Sequence, residues 1–284
     1  MLKRLAVLAG AVLTGGCSSL DVLNAVSQSP HAQPVTIVYG ESARQRLDLY
    51  PGLKLEKGRP VVVFFYGGAW ASGSRKDYGF IARTFNDLGY VVAIPDYRLT
   101  PETVYPGFLH DSAAAVRALV SQVQEYGGDP NRIVLAGHSA GAYNAIMLAV
   151  DPRWLGEQDR QRIRGVIGLS SPVNFLPIQM PEARVAFSWP NTPQDTQPVM
   201  HVSPTSPPML LLTAKRDPLV DPDMNSATMA ERLKAAGVYV SLEVFEGPLG
   251  IINHANIVAT FSSRLSFLAP SIARSKEFLE RVTR

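Results

Sequence analysis

The segment Gly137-His138-Ser139-Ala140-Gly141 places a hydroxyl between small residues, where an apolar run over 133–136 gives way to an alanine-rich stretch over 140–150. A strand that turns this tightly into a helix leaves no room for flanking side chains, which accounts for the glycines. The bend lifts the serine hydroxyl above the sheet, and the helix N-terminus behind it favours developing negative charge. Ser139 therefore has the setting of a nucleophile. His138 fills the variable position of the pattern and is expected to pack nearby rather than to move a proton.

A serine hydroxyl is a weak nucleophile until a base takes its proton, and the base must itself be oriented by a carboxylate. In strand–serine–helix sites the acid follows the nucleophile in the chain and the histidine comes last. Of the five histidines, only His201 and His254 follow Ser139 apart from its neighbour His138. His254 comes after an apolar run over 238–245 through a Gly/Pro-containing loop, so it falls beyond the C-terminal end of a strand. His201 lies in a proline-rich stretch ahead of every acid candidate. The acid should close the preceding strand, 209–213, and Asp217 in Lys215-Arg216-Asp217-Pro218 does so. Asp221 and Asp223 are competitors nearer the following helix, for which Asp223 suits an N-cap.

Acyl transfer also needs N–H donors fixed in advance around a developing oxyanion. Tyr66-Gly67-Gly68-Ala69-Trp70 follows the buried-strand run 61–65. Gly67 and Gly68 can turn their amides inward there, and Ala140 supplies a third.

Positioning these groups requires a particular set of elements. Apolar runs of strand length occur at 61–65, 91–95, 133–136, 166–170, 209–213 and 238–245. Helical periodicity lies between them at 78–88, 108–126, 140–150 and 224–236, and again at 272–282. An antiparallel hairpin is expected over 35–39 and 46–50. Continuous rather than alternating apolar strands imply a sheet covered on both faces. Repeated βα units make it mostly parallel, with right-handed crossovers. The fold class is α/β, with a single domain over 35–284. Residues 174–208 break the rhythm with many prolines, and read equally well as a partial cap or a surface excursion.

The chain has 284 residues, 46% hydrophobic and 18% charged, enough for a large core without disulfides. A net charge of +3, with no basic cluster interleaved with aromatics, gives no nucleic-acid footprint. No cluster has metal-ligand spacing, and no cofactor is called for. Residues 1–16 read as a signal peptide: Lys3 and Arg4, then a short apolar run, then small residues. Residues 17–34 read as a tether. Leu13-Thr14-Gly15-Gly16-Cys17 resembles the bacterial lipobox, which implies a lipid-modified Cys17 holding an exported protein at a membrane surface, the outer membrane given Ser18.

Beyond the serine motif, the chain carries Leu47-Asp48-Leu49-Tyr50-Pro51, Asp96-Tyr97-Arg98-Leu99-Thr100-Pro101-Glu102 and Gly128-Asp129-Pro130-Asn131-Arg132-Ile133. With the glycine pair and the elbow, these resemble the carboxylesterases and formamidases of the hormone-sensitive-lipase and BD-FAE branches of the α/β hydrolases. The likeness runs from about residue 47 to 254. It implies an α/β-hydrolase fold, a triad of Ser139, Asp217 and His254, oxyanion donors at Gly67, Gly68 and Ala140, and a small-molecule ester as substrate. Asp96 is expected to anchor a strand end. The family usually has histidine where this chain has Tyr66, whose hydroxyl can also donate a hydrogen bond. Two other readings stand beside the esterase: an aryl-formamide hydrolase with the same triad, and a non-catalytic envelope lipoprotein that binds through a hydrolase fold.

Overall fold

A computed structural model describes residues 19–26, 33–52 and 56–284. The leader and Cys17 lie outside the described residues. Strands β1 (Val35–Val38) and β2 (Arg46–Tyr50) form the expected antiparallel hairpin, with Val35 opposite Leu49. They are followed by β3 (Arg59–Phe65), β4 (Val91–Pro95), β5 (Gly128–His138), β6 (Ile163–Leu169), β7 (Met209–Ala214) and β8 (Val240–Phe245). The strands order as β1-β2-β4-β3-β5-β6-β7-β8, and every pairing from β4 to β8 is parallel. Val-Val-Val-Phe-Phe in β3 and the apolar half of β5 are buried throughout, as strands packed on both faces require.

The helices are α1 (Ser19–Val26), α2 (Gly79–Asp87), α3 (Gly107–Gln122), α4 (Ala140–Val150), α5 (Pro152–Arg160), α6 (Pro181–Ala186), α7 (Thr228–Ala235) and α8 (Ser271–Val282). From β3 the chain moves outward to β4, then returns across β3 to begin β5. The direction of winding thus reverses between β3 and β5, and such a switch opens a crevice at the strands' carboxyl ends. Phe65 pairs with Gly137 there, so the glycine loop and the serine motif leave adjacent strands side by side.

Four local features differ from the sequence reading. Residues 19–26, expected within a tether, form a helix: Leu23 is buried, the Asn24 side-chain Oδ1 accepts from Phe80 N–H at 2.9 Å, and its Nδ2 donates to the Asp77 carbonyl at 2.9 Å. Helix α5 was not anticipated, since its polar residues hide the two buried side chains, Trp154 and Leu155, that dock it. Residues 223–236 begin as a π-helical turn before α7. The carboxylate that caps that turn belongs to Asp221, not Asp223: it accepts from the N–H groups of Asp223 (2.9 Å) and Met224 (2.8 Å).

Residues 174–208 hold α6 and two short 3-10 turns, and their aromatics enter the core. The Phe187 ring stands 4.8 Å from Trp70, 5.3 Å from Tyr143 and 5.2 Å from Phe175, centroid to centroid. Phe187→Ala should therefore cost about 3–5 kcal/mol in urea unfolding, the price of a buried aromatic truncated to a cavity. A cost below about 1 kcal/mol would mean that the segment lies on the core without being part of it.

Candidate active site

Ser139 sits between β5 and α4 with φ 53° and ψ −123°, a backbone conformation that side chains other than glycine rarely adopt. The surroundings hold it there. Ser139 N–H donates to the Leu169 carbonyl at 2.9 Å, and its own carbonyl accepts from Tyr143 N–H at 3.1 Å. A Cβ on Gly137 would stand 2.5 Å from the Gly141 carbonyl, which is why the turn can close only with a glycine there.

His254 arrives from the loop after β8 and Asp217 from the loop after β7. The imidazole Nε2 lies 2.8 Å from Ser139 Oγ, and Nδ1 lies 2.8 and 3.0 Å from the two Asp217 oxygens. A carboxylate only accepts, so Nδ1 carries the proton and Nε2 is free to accept the serine's. All three side chains are buried. Burial alone would raise the Asp217 carboxyl, but the hydrogen bond and charge of His254, the Val220 N–H and the Ser170 hydroxyl hold it below the usual carboxylate range. The Val220 and Leu219 amides donate to Asp217 Oδ1 at 2.8 and 3.0 Å. His201 is elsewhere, with Nε2 donating to the Asp195 carbonyl at 2.6 Å.

Gly67, Gly68 and Ala69 line the same crevice as Ser139. Ala69 (φ 51°) and Trp70 (φ 58°) are both in the left-handed region, so this loop is held rather than relaxed. Trp70 Nε1 donates to Asn144 Oδ1 on α4 at 3.1 Å, and its carbonyl accepts from Thr100 N–H at 2.8 Å. Ala140 opens α4, where first-turn amides have no acceptor within the helix. Burial, with the nearby Asp77 charge, pushes the Tyr78 phenol up, and the closeness of the Gly67 amide works the other way.

Tyr66 is fully buried and turned away from the serine. Its hydroxyl donates to Asp96 Oδ1 at 2.9 Å and accepts from Arg44 at 2.7 Å, and its ring stacks between Tyr78 and Tyr97. Asp96, at the end of β4, also accepts from Arg75, so the two residues brace the base of the glycine loop.

Two spaces meet at Ser139. One, of about 500 Å³, is walled by Trp70, Phe175, Ile178, Met180, Leu219 and Met224. The other, of about 920 Å³, includes His254, Val258, Asp77, Glu182 and Leu20 of α1. Sequence reasoning did not find Ser170, Trp70–Asn144 or the Val220 amide. Only the position of Ser170 at a strand's carboxyl end, followed by Ser171-Pro172, could have drawn attention to it. Among the described residues, no group of three or more His, Cys, Asp or Glu side chains could hold a metal ion, and no helix is long and apolar enough to cross a membrane.

His138 is buried beneath this site. Burial, then the nearness of His254, lowers its pKa from the ordinary 6.5 to about 4. Unfolded, it takes a proton near pH 6.5. Between pH 6.5 and 4 the unfolded chain therefore binds more protons at this position, and stability rises with pH. The contribution is complete above pH 6.5 and lost as pH falls through about 4. Against His138→Gln, the wild type should lose about 2–3 kcal/mol more between pH 7 and pH 4.5, read by urea unfolding at both values. Parallel losses would show that His138 carries no such linkage.

The profile of the BD-FAE family matches residues 47–233, well over half of the chain. A carboxylesterase, NlhH, of Mycobacterium tuberculosis (strain CDC 1551 / Oshkosh) is 30% identical over 236 residues, covering 70% of this chain and 68% of that one. A probable isoprenylcysteine alpha-carbonyl methylesterase of Arabidopsis thaliana is 29% identical, covering 75% of this chain and 49% of its own length. The chain spans from about a third to three fifths of the length of the plant and mycobacterial relatives it matches first. Among solved structures, an esterase of Pyrobaculum calidifontis superposes with a TM-score of 0.75 at 21% identity, covering 93% of this chain and 89% of the other, a likeness of fold. The reversal of winding between β3 and β5, the serine at their crevice and this profile agree: the chain belongs to the BD-FAE family and has the α/β-hydrolase fold.

Proposed function

We propose that the protein is a serine-dependent carboxylic ester hydrolase that acts on small esters through an acyl-enzyme. The observation that carries this reading is the continuous chain from Ser139 Oγ to His254 Nε2 and from His254 Nδ1 to Asp217. The names of the relatives, a carboxylesterase and methylesterases, support the same class of substrate.

In the first half-reaction His254 Nε2 takes the Ser139 proton as Oγ bonds to the acyl carbon, whose carbonyl oxygen becomes an oxyanion. Asp217 stays ionised and stabilises the imidazolium. The Gly67, Gly68 and Ala140 amides receive the oxyanion. The carbon–alkoxy bond then breaks and the leaving alcohol takes its proton from His254. In the second half, His254 removes a proton from water, the hydroxide bonds to the acyl carbon, and Ser139 leaves with the proton returned. No group other than these residues and water enters the balance. Residues 174–208 form one wall of the smaller space and act as a partial cap.

A fluorophosphonate probe should label the folded protein once per chain. A panel of short p-nitrophenyl esters should turn over faster than N-formylkynurenine. Preference for the formamide would replace the ester by an aryl-formamide as substrate. Folded protein that neither labels nor turns over either compound would favour a binding protein and end the hydrolase reading.

A further inference from the structure

We infer that His138 is a positioning residue that holds His254 in line with Ser139, an inference resting on the reading that these two residues act as base and nucleophile. The His138 Nε2 lies 2.9 Å from the main-chain carbonyl oxygen of His254. A carbonyl can only accept, so the His138 Nε2 carries a proton and donates it to this oxygen. The two rings lie 5.2 Å apart, and the bond runs from the residue preceding the nucleophile to the backbone of the residue carrying the base.

The loop that delivers His254 is packed into the core through Ile252 but has few other hydrogen bonds to distant parts of the chain. Gly247, Leu249 and Gly250 all have positive φ, and Leu249 and Ile251 are exposed. Within residues 247–256 the remaining hydrogen bonds are local: Gly250 N–H to the Gly247 carbonyl, Ile251 N–H to the Pro248 carbonyl, Asn253 N–H to the Asn256 side chain, the Ala255 and Asn256 N–H groups to the Asn253 side chain, and the Asn256 side-chain amide to the Ile251 carbonyl. At its ends the loop joins Glu246 through Ile252 N–H and the next turn through Ile257 N–H. Among the described residues, the hydrogen bonds from the body of this loop to distant parts of the chain all meet at His254. Two involve its imidazole, which must exchange protons, and the third is the His138 contact to its carbonyl. The imidazole cannot both react and serve as its own anchor. His138 supplies an anchor that stays unchanged through the cycle.

The other face of the His138 ring supports the same role. Nδ1 is buried without a hydrogen-bond partner, and a Cβ on Gly67 would stand 2.9 Å from it. The ring thus fills the gap between the glycine loop and the histidine loop. Packing alone could be met by an apolar side chain of the same size. A buried acceptor without a partner calls for an explanation, and the bond made by the opposite nitrogen supplies one. Displacement of a catalytic group by about 1 Å costs on the order of 10²-fold in rate, so a single hydrogen bond at this point has leverage.

The test compares His138→Ala, His138→Leu and His138→Gln with the wild type, since only glutamine can again present an N–H toward the His254 carbonyl. Alanine and leucine should each lower kcat about 10–100-fold with KM changed less than about threefold, and glutamine should recover most of the loss. A readout independent of turnover is the downfield proton resonance of the His254–Asp217 hydrogen bond. It should be sharp in the wild type and in His138→Gln, and broadened or lost in the alanine and leucine variants. Leucine matching glutamine in kcat and in resonance would overturn the inference and reduce His138 to a space-filler. Wild-type protein that shows the resonance and its dependence on His138, but hydrolyses nothing, would sink the esterase reading and leave the positioning role standing.

Discussion

Ser139→Ala should lower kcat/KM for a short p-nitrophenyl ester by about 10⁴–10⁶-fold, with the unfolding midpoint moved by no more than a few degrees. The loss is large because, in the proposed mechanism, the substitution removes the atom that bonds to the acyl carbon. It leaves binding by the two spaces at the site and polarisation by the amides, which together sustain only a small residual rate. The structural cost is one hydrogen bond, Ser139 Oγ to His254 Nε2 at 2.8 Å, about 1 kcal/mol. Alanine inherits the strained backbone at φ 53°, so the turn itself is unaltered.

Ser139 and His254 should also behave as one unit. The double variant Ser139→Ala/His254→Ala should be no slower than Ser139→Ala alone, within about threefold, because a base without its nucleophile has nothing to activate. Multiplying losses would mean that His254 also serves a water-attack route without the serine. Wild-type turnover in Ser139→Ala would remove the serine from the mechanism altogether.

A large stability loss is expected at Gly141→Ala: about 3 kcal/mol or more, and a melting temperature lower by about 6–12 °C. Helix propensity argues the opposite way, since alanine is better than glycine in a helix interior by about 1 kcal/mol. Sterics decide. A Cβ at Gly141 would stand 2.1 Å from the Phe65 carbonyl oxygen and 2.4 Å from that of Tyr66. Both are main-chain atoms, one ending β3 and the other entering the glycine loop, and the Tyr66 carbonyl already accepts from the Tyr97 hydroxyl at 2.7 Å. No side chain can swing aside, so α4 must move off the sheet or the loop must be pushed out. Activity should fall with stability, because either movement separates Ser139 from the Gly68 amide.

Gly237→Ala is the control. Its φ of 74° makes alanine strained, yet nothing lies within 4 Å of the added carbon, so the cost should stay near 1 kcal/mol. Differential scanning calorimetry on both variants separates close approach from backbone strain. Equal losses would refute the steric account.

The sequence by itself determined the elements that lie on buried strands and their immediate exits. The runs at 91–95 and 140–150 match β4 and α4 residue for residue, and Ser139, Asp217 and His254 could be named because the first two fall just past a strand's carboxyl end and the third follows the loop that leaves the last strand. A strand buried on both faces is apolar without interruption, and a turn that must close tightly needs glycine; both are local requirements that leave local traces. What the tertiary structure alone decided depends on distant parts of the chain meeting. Residues 19–26 form a helix against α2 because Asn24 finds Phe80 and Asp77. Helix α5 and residues 174–208 owe their places to a few aromatic side chains whose partners, Trp70 and Tyr143 among them, come from other segments. Asp221 rather than Asp223 caps the turn after β7, a matter of which carboxylate the backbone bend leaves facing the free amides. His138, Ser170 and Tyr66 have types that fit many roles. His138 and Tyr66 acquired their hydrogen-bond partners, and Ser170 its place near Asp217, only when β3, β4, β5, β6 and the two late loops were laid side by side, since contacts over such sequence separations have no periodicity to reveal them.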